Sequence, residues 1–199
     1  MKSRRRRTNR LRVLLGIGGL AIFLFFTSIR GLAGFWTDYL WFDSLSLSSV
    51  WTSVLWAKIG LGLLFTAVFF VSLWVNLFIA DRFAPKVRPP GPEDELSRRW
   101  QQFTSSRTVL IRSIVSLLFA LLVGAGVSSQ WQSWLFFTNR VDFGIVDQQF
   151  GIDVGFYVFQ LPFLTFIVSW AFAAILVIFV VTTIQHYLNG GIRLQGQAG

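Results

Sequence analysis

Hydrophobic positions along this chain gather into four long runs, at 13–29, 54–80, 109–128 and 162–184, each almost free of charge. At about 1.5 Å of rise per helical residue, a run of this length reaches across a hydrocarbon core about 30 Å thick. Inside lipid every backbone polar group has to be satisfied within the segment, so such runs are expected as helices. The pattern predicts an all-α integral membrane protein with about four transmembrane helices. The polar stretches between them divide into two kinds, and the division predicts orientation.

Lys2, Arg4 to Arg7, Arg10 and Arg12 precede the first run, while Arg82, Lys86, Arg88, Arg98, Arg99, Arg107 and Arg112 lie between or beside the second and third. Only Arg30 and Arg140 fall in the other two connections. Loops rich in Lys and Arg stay on the cytoplasmic side, which places 1–12, 81–108 and 185–199 in the cytoplasm and 30–53 and 129–161 outside. The expected location is a cell membrane, multi-pass, with a cytoplasmic N-terminus. The first run is longer than a signal-peptide core, and the Ser28 to Gly34 stretch after it is a poor cleavage site, so it is expected to be retained.

Composition then narrows the chemistry. The net charge of +9 would suit nucleic acid, but the excess is confined to one side of the spans. Anionic lipid head groups explain it better, and no nucleic acid partner is expected. The sequence has no cysteine and one histidine, His186, which removes thiolate metal sites, disulfides and cysteine nucleophiles. No cofactor, metal site or catalytic set is predicted. His186, at the end of the fourth run before Gly190 and Gly191, suits a helix C-terminus.

Local patterns add detail. Trp36, Tyr39 and Leu40 recur at helical spacing in the first outer connection, predicting an interfacial amphipathic helix between 30 and 53. Lys58 and Arg112, close to span ends, are expected to snorkel to head groups, and Asn76 to hydrogen-bond a neighbouring helix. Pro85, Pro89, Pro90 and Pro92 end the second helix. After them Leu96, Trp100 and Phe103 predict an amphipathic cytoplasmic helix, with Glu95 set to pair with Arg99. Ser116, Ala120, Gly124 and Ser128 repeat every four residues, the spacing at which small side chains let helix backbones approach, so this face is expected to be buried against another span.

The 129–161 stretch is the least generic. It carries Asp142, Phe143, Gly144, Asp147, Phe150, Gly151, Asp153, Gly155, Phe156 and Tyr157 before Pro162, a repeated grouping of aspartate, aromatic and glycine. Three aspartates could hold a hard cation, but the spacing fits neither an EF-hand nor a phosphate loop. A packed loop stitched by aspartate-to-backbone hydrogen bonds, with Gly144, Gly151 and Gly155 at tight turns, is the reading preferred from the residues.

The Trp-Thr-Asp-Tyr-Leu-Trp-Phe run at 36–42, the Phe143 to Pro162 run and the His186 to Arg193 run together resemble uncharacterised protein family 0182. That resemblance covers essentially the whole chain and implies a bacterial multi-pass membrane protein. Members are much longer, with further spans and a large extracytoplasmic region, so the chain resembles their N-terminal part. Gln148 stands where the family motif would have proline. The family supplies no catalytic residues. Three functions stay open: a membrane-anchoring and interaction module whose outer loops meet the missing C-terminal part or other envelope proteins, a component of a transport system, and an enzyme on envelope or lipid-linked substrates. The first is favoured, because conspicuous residues gather outside the spans.

Overall fold

A computed structural model describes residues 2–83 and 107–189. The described residues are helical apart from turns and one isolated antiparallel bridge, Val146 to Asp153. Helix α1 covers Lys2–Ser44, α2 Ser48–Arg82, α3 Thr108–Ala125, α4 Trp131–Thr138 and α5 Leu161–Leu188. A 3-10 segment, Gly126–Gln130, joins α3 to α4, and a π-helical turn, Phe156–Gln160, leads into α5. Three of the continuous helices, Ser48–Arg82, Thr108–Thr138 and Phe156–Leu188, are long and apolar enough to cross a membrane. The predicted helix around Leu96 to Phe103, the Glu95–Arg99 pair and the glycines after His186 lie outside the described residues.

The chain forms two compact units, residues 1–54 and 55–199. In the first, α1 runs without a break from the basic N-terminus through Ser44. The sequence reading ended a span at residue 29 and began a separate interfacial helix; Gly31 and Gly34 do not interrupt the helix, since neither adopts positive φ. The turn at Leu45 to Leu47 closes on Phe42, whose carbonyl accepts from Leu45 N at 3.3 Å and Leu47 N at 2.9 Å, with Ser46 at φ 57°. Trp51 then packs between the Phe35 and Tyr39 rings, at centroid distances of 4.8 and 5.1 Å.

In the second unit, α2 buries Ala57, Leu61, Phe65, Phe69, Leu73 and Leu77, one ridge at four-residue spacing. Helix α3 buries Arg112, Ser116, Ala120 and Gly124 at the same spacing. A large ridge thus meets a small one, which brings the backbones close. A methyl group on Gly124 would overlap Thr66 Oγ1 and come within 2.8 Å of Thr66 Cα. Phe69, Leu73, Leu77, Ala120 and Ala174 form one buried cluster, and Leu61, Phe65, Val127 and Phe163 a second. Helix α5 closes both clusters, with Phe163 in one and Ala174 in the other. Ser128 is half-buried, and its hydroxyl donates to Ala125 O at 3.0 Å.

The sequence reading gave the outer loop 129–161. Most of that stretch is helix: α4 takes its first part and the π turn its last, leaving an irregular segment between Asn139 and Asp153. Trp131, Trp134 and Phe137 pack on the Phe163 cluster, which keeps the chain helical past the end of the apolar run. Asn76 and Arg112 differ from expectation. Asn76 is exposed and donates to Ser72 O of its own helix at 2.8 Å, an i to i−4 bond that needs no neighbour. Lys58 is exposed, with its ammonium 5.3 Å from the Trp131 ring centroid. Arg112 does not snorkel; it is buried and paired.

Candidate functional site

Polar chemistry in the 55–199 unit collects at two places, one on α2 and one after α4. The first lies at the Arg82 end of α2. Asp81, the only acidic residue in α2, follows the apolar run directly, and Arg112 stands one turn inside α3. Arg112 Nη2 is 3.2 Å from Asp81 Oδ2, with the side chains 7% and 17% exposed. A buried guanidinium needs its charge met within the protein, and one carboxylate oxygen meets it here. The other, Asp81 Oδ1, accepts from Gln185 Nε2 at 2.7 Å and Asn189 Nδ2 at 2.9 Å. Asn189 follows the last turn of α5, so a single carboxylate ties three helices.

Aromatic faces complete this clasp. The Arg112 guanidinium carbon lies 4.9 Å from the Trp74 ring centroid and 5.1 Å from that of Phe78, two stacked rings whose planes are 3° from parallel. Cation–π attraction strengthens when water is excluded, as it is around a buried Arg112. Trp74 Nε1 in turn donates to Ser113 Oγ at 3.2 Å. His186, in the last turn of α5, is half-buried.

The second place is the segment after α4. Asp153 accepts the backbone N–H groups of Phe143 at 3.0 Å, Gly144 at 2.8 Å and Gly155 at 2.6 Å. Asp147 accepts from Gln149 N at 3.2 Å, Phe150 N at 3.3 Å and the Tyr157 hydroxyl at 3.0 Å. Backbone pairs Asp147 N to Ile152 O at 2.8 Å and Val154 N to Ile145 O at 2.9 Å close the strands of this small hairpin on one another. These donors favour the ionised carboxylates. The Gln149 amide, then the Tyr157 hydroxyl, hold Asp147 below the usual carboxyl range, and the Phe143 and Gly155 amides do the same for Asp153.

The glycines work by two different means. Gly144 and Gly151 take φ of +72° and +67°, where other L residues are strained. Gly155 is not such a turn; its φ is −58°. It is buried, and a Cβ there would overlap Val141 O and come within 2.8 Å of Asp153 Oδ1. Phe159 joins Phe136 and Phe143 at ring distances of 6.1 and 5.6 Å, linking α4, the hairpin and the π turn.

Of the residues singled out in sequence, the hairpin therefore brings together Phe143, Gly144, Asp147, Phe150, Gly151, Asp153, Gly155 and Tyr157. Asp142 stands aside, exposed, and Pro162 lies in the first turn of α5. Phe156 packs edge-on to Tyr157 at 5.5 Å. Among the described residues no group of three His, Cys, Asp or Glu side chains is placed to hold a metal ion. The clasp went unread in the sequence, although opposite charges at matching depth in consecutive apolar runs were a signal for it.

Residues 15–198 match the uncharacterised protein family UPF0182. The chain belongs to that family. UPF0182 proteins of Streptomyces coelicolor and Saccharopolyspora erythraea are each 37% identical over 193 residues, 96% of this chain. One from Salinispora arenicola is 36% identical over 191 residues. The chain spans only 19% of the Streptomyces and Salinispora proteins and 20% of the Saccharopolyspora one. No solved structure matches this UPF0182 chain.

Proposed function

We propose that this UPF0182 chain is a multi-pass plasma-membrane module, with its N-terminus and the clasp end of the bundle in the cytoplasm, that anchors a larger envelope protein and presents the aspartate-stapled hairpin outside. The observation that carries this reading is the segregation of surface. The apolar windows of the three candidate spans are 28%, 22% and 6% buried within the fold, so most of their apolar side chains face outward. Water would penalise such a surface, and acyl chains would not. The described carboxylates that bind protein groups, Asp81, Asp147 and Asp153, lie instead at the clasp and the hairpin. Helix α1, with 13–29 as its apolar stretch, supplies the fourth crossing in this reading, and basic residues on one side set the orientation.

The anchoring reading is preferred to transport because Asp81 and Arg112 pair at 3.2 Å near a helix end, where a translocation path would place polar groups near the bilayer midplane. Cysteines replacing Ser97 and Gln148, in a chain without native cysteine, test the topology. An impermeant maleimide should label Gln148→Cys in intact cells and Ser97→Cys only after lysis; labelling of both from one side refutes the arrangement. Alanine at Asp147 and Asp153 tests the role. Lower abundance of the protein supports an interaction module, whereas normal abundance with a lost phenotype points to chemistry at the carboxylates.

A further inference from the structure

The hairpin is built in an unusual way for a surface loop. Asp147 and Asp153 are turned onto its own backbone, while Val141, Ile145, Val146 and Phe150 are 61%, 65%, 56% and 64% exposed. Phe143 and Ile152 add partly exposed apolar surface at 49% and 39%. Apolar side chains crowded on one short segment mark a contact surface. Exposed Arg140 and Asp142 flank Val141, and exposed Gln148 and Gln149 precede Phe150. Apolar groups beside a charged and polar rim are the composition of a protein–protein interface.

Two occupants compete for that surface, lipid and polypeptide. Lipid chains are fluid and do not reward a fixed shape. This shape is fixed by six hydrogen bonds to two carboxylates and by two glycines at positive φ. Preorganisation of that kind improves binding only to a partner that is itself shaped, because it removes ordering cost on association. The carboxylates are also held ionised by their donors, and carrying them into hydrocarbon is costly. Relatives, meanwhile, carry about four-fifths of their length beyond the region shared here, since the chain covers 19% of them.

We propose that the hairpin crest formed by Val141, Phe143, Ile145, Val146 and Phe150 is a docking surface for polypeptide of the same protein lying beyond the region described here, an apolar, rigid segment on the outer side of the membrane. This assignment rests on the anchoring reading above and names its partner. The crest residues seat in that segment, and Arg140 and Asp142 fix its register from the rim.

Photo-crosslinking in the chromosomally expressed protein tests it. Benzoylphenylalanine replaces Ile145 or Phe150, with Leu122, 77% exposed on α3, as the lipid-facing control. At 145 and 150 the crosslink should fall within one polypeptide, to a peptide beyond residue 199, while Leu122 gives lipid adducts. Lipid adducts at 145 and 150, a crosslinked pair of copies, a different protein on the crosslink, or an expressed product ending at residue 199 would each overturn the docking assignment. Gln148→Cys labelling in the same cells separates the two readings: loss of outside labelling sinks the anchoring reading, whereas normal labelling with lipid adducts at 145 sinks only the docking surface.

Discussion

Two regions of this molecule spend aspartates on hydrogen bonds, and they do it at opposite sequence range. Asp147 and Asp153 bind groups no more than 10 residues away. Asp81 binds Gln185 and Asn189, which stand 104 and 108 residues further on, and Arg112 in between. The hairpin carboxylates shape a segment, and water can replace any donor they lose. The clasp carboxylate joins three helices around a guanidinium that water barely reaches. A lost partner therefore has local consequences in one region and bundle-wide consequences in the other.

The sharpest way to break that contrast is at the clasp. Replacing Asp81 by Leu leaves the Arg112 charge buried and unpaired and should cost about 3 kcal/mol or more of bundle stability. Thermal unfolding of the purified protein in detergent should show it, and the double variant Asp81→Leu/Arg112→Leu should regain most of the loss. If the single variant melts like the wild type, the ion pair is not what holds the helices at that end. A smaller effect is expected midway along the bundle. Gly124→Ala forces a methyl against the Thr66 backbone and should cost about 1–3 kcal/mol by overpacking, measured in the same melt.

The hairpin should respond least. Asp153→Ala should speed amide exchange across 143–155 while leaving the bundle melting temperature unchanged; a bundle-wide loss would erase the distinction between the regions. Its pH dependence has a definite sign. Both hairpin carboxyls sit below their usual range, so the order they confer is fully present above the unfolded value near pH 3.9 and is lost as pH falls through the lower folded values. Exchange at neutral pH and at pH 5 should then differ only by the intrinsic chemical rate. Early fraying already at pH 5 would contradict the hydrogen bonding described.

The same contrast explains what was legible in the amino-acid sequence. Asp, Gly and aromatic residues at short spacing announce a local hairpin, because donors and acceptors are neighbours along the chain. The small-residue face Ser116, Ala120 and Gly124 was visible because small residues stand out in an apolar run. The matching ridge Leu61, Phe65, Phe69 and Leu73 was not, since nearly every position in that run is apolar and periodicity needs contrast. Arg112 looked like a surface charge because its partner lies across a connection. Continuous α1 escaped for a different reason: hydropathy marks where a span ends, and a helix need not end there.

The clasp also has an order of assembly written into it. Asp81 and Arg112 lie on α2 and α3, which leave the ribosome well before α5. Asp81 meets the Arg112 charge through Oδ2, which leaves Oδ1 free to accept from the later α5. Gln185 on α5 and Asn189 just after it reach Asp81 only when that helix stands in register, so these two bonds report its seating against the other two.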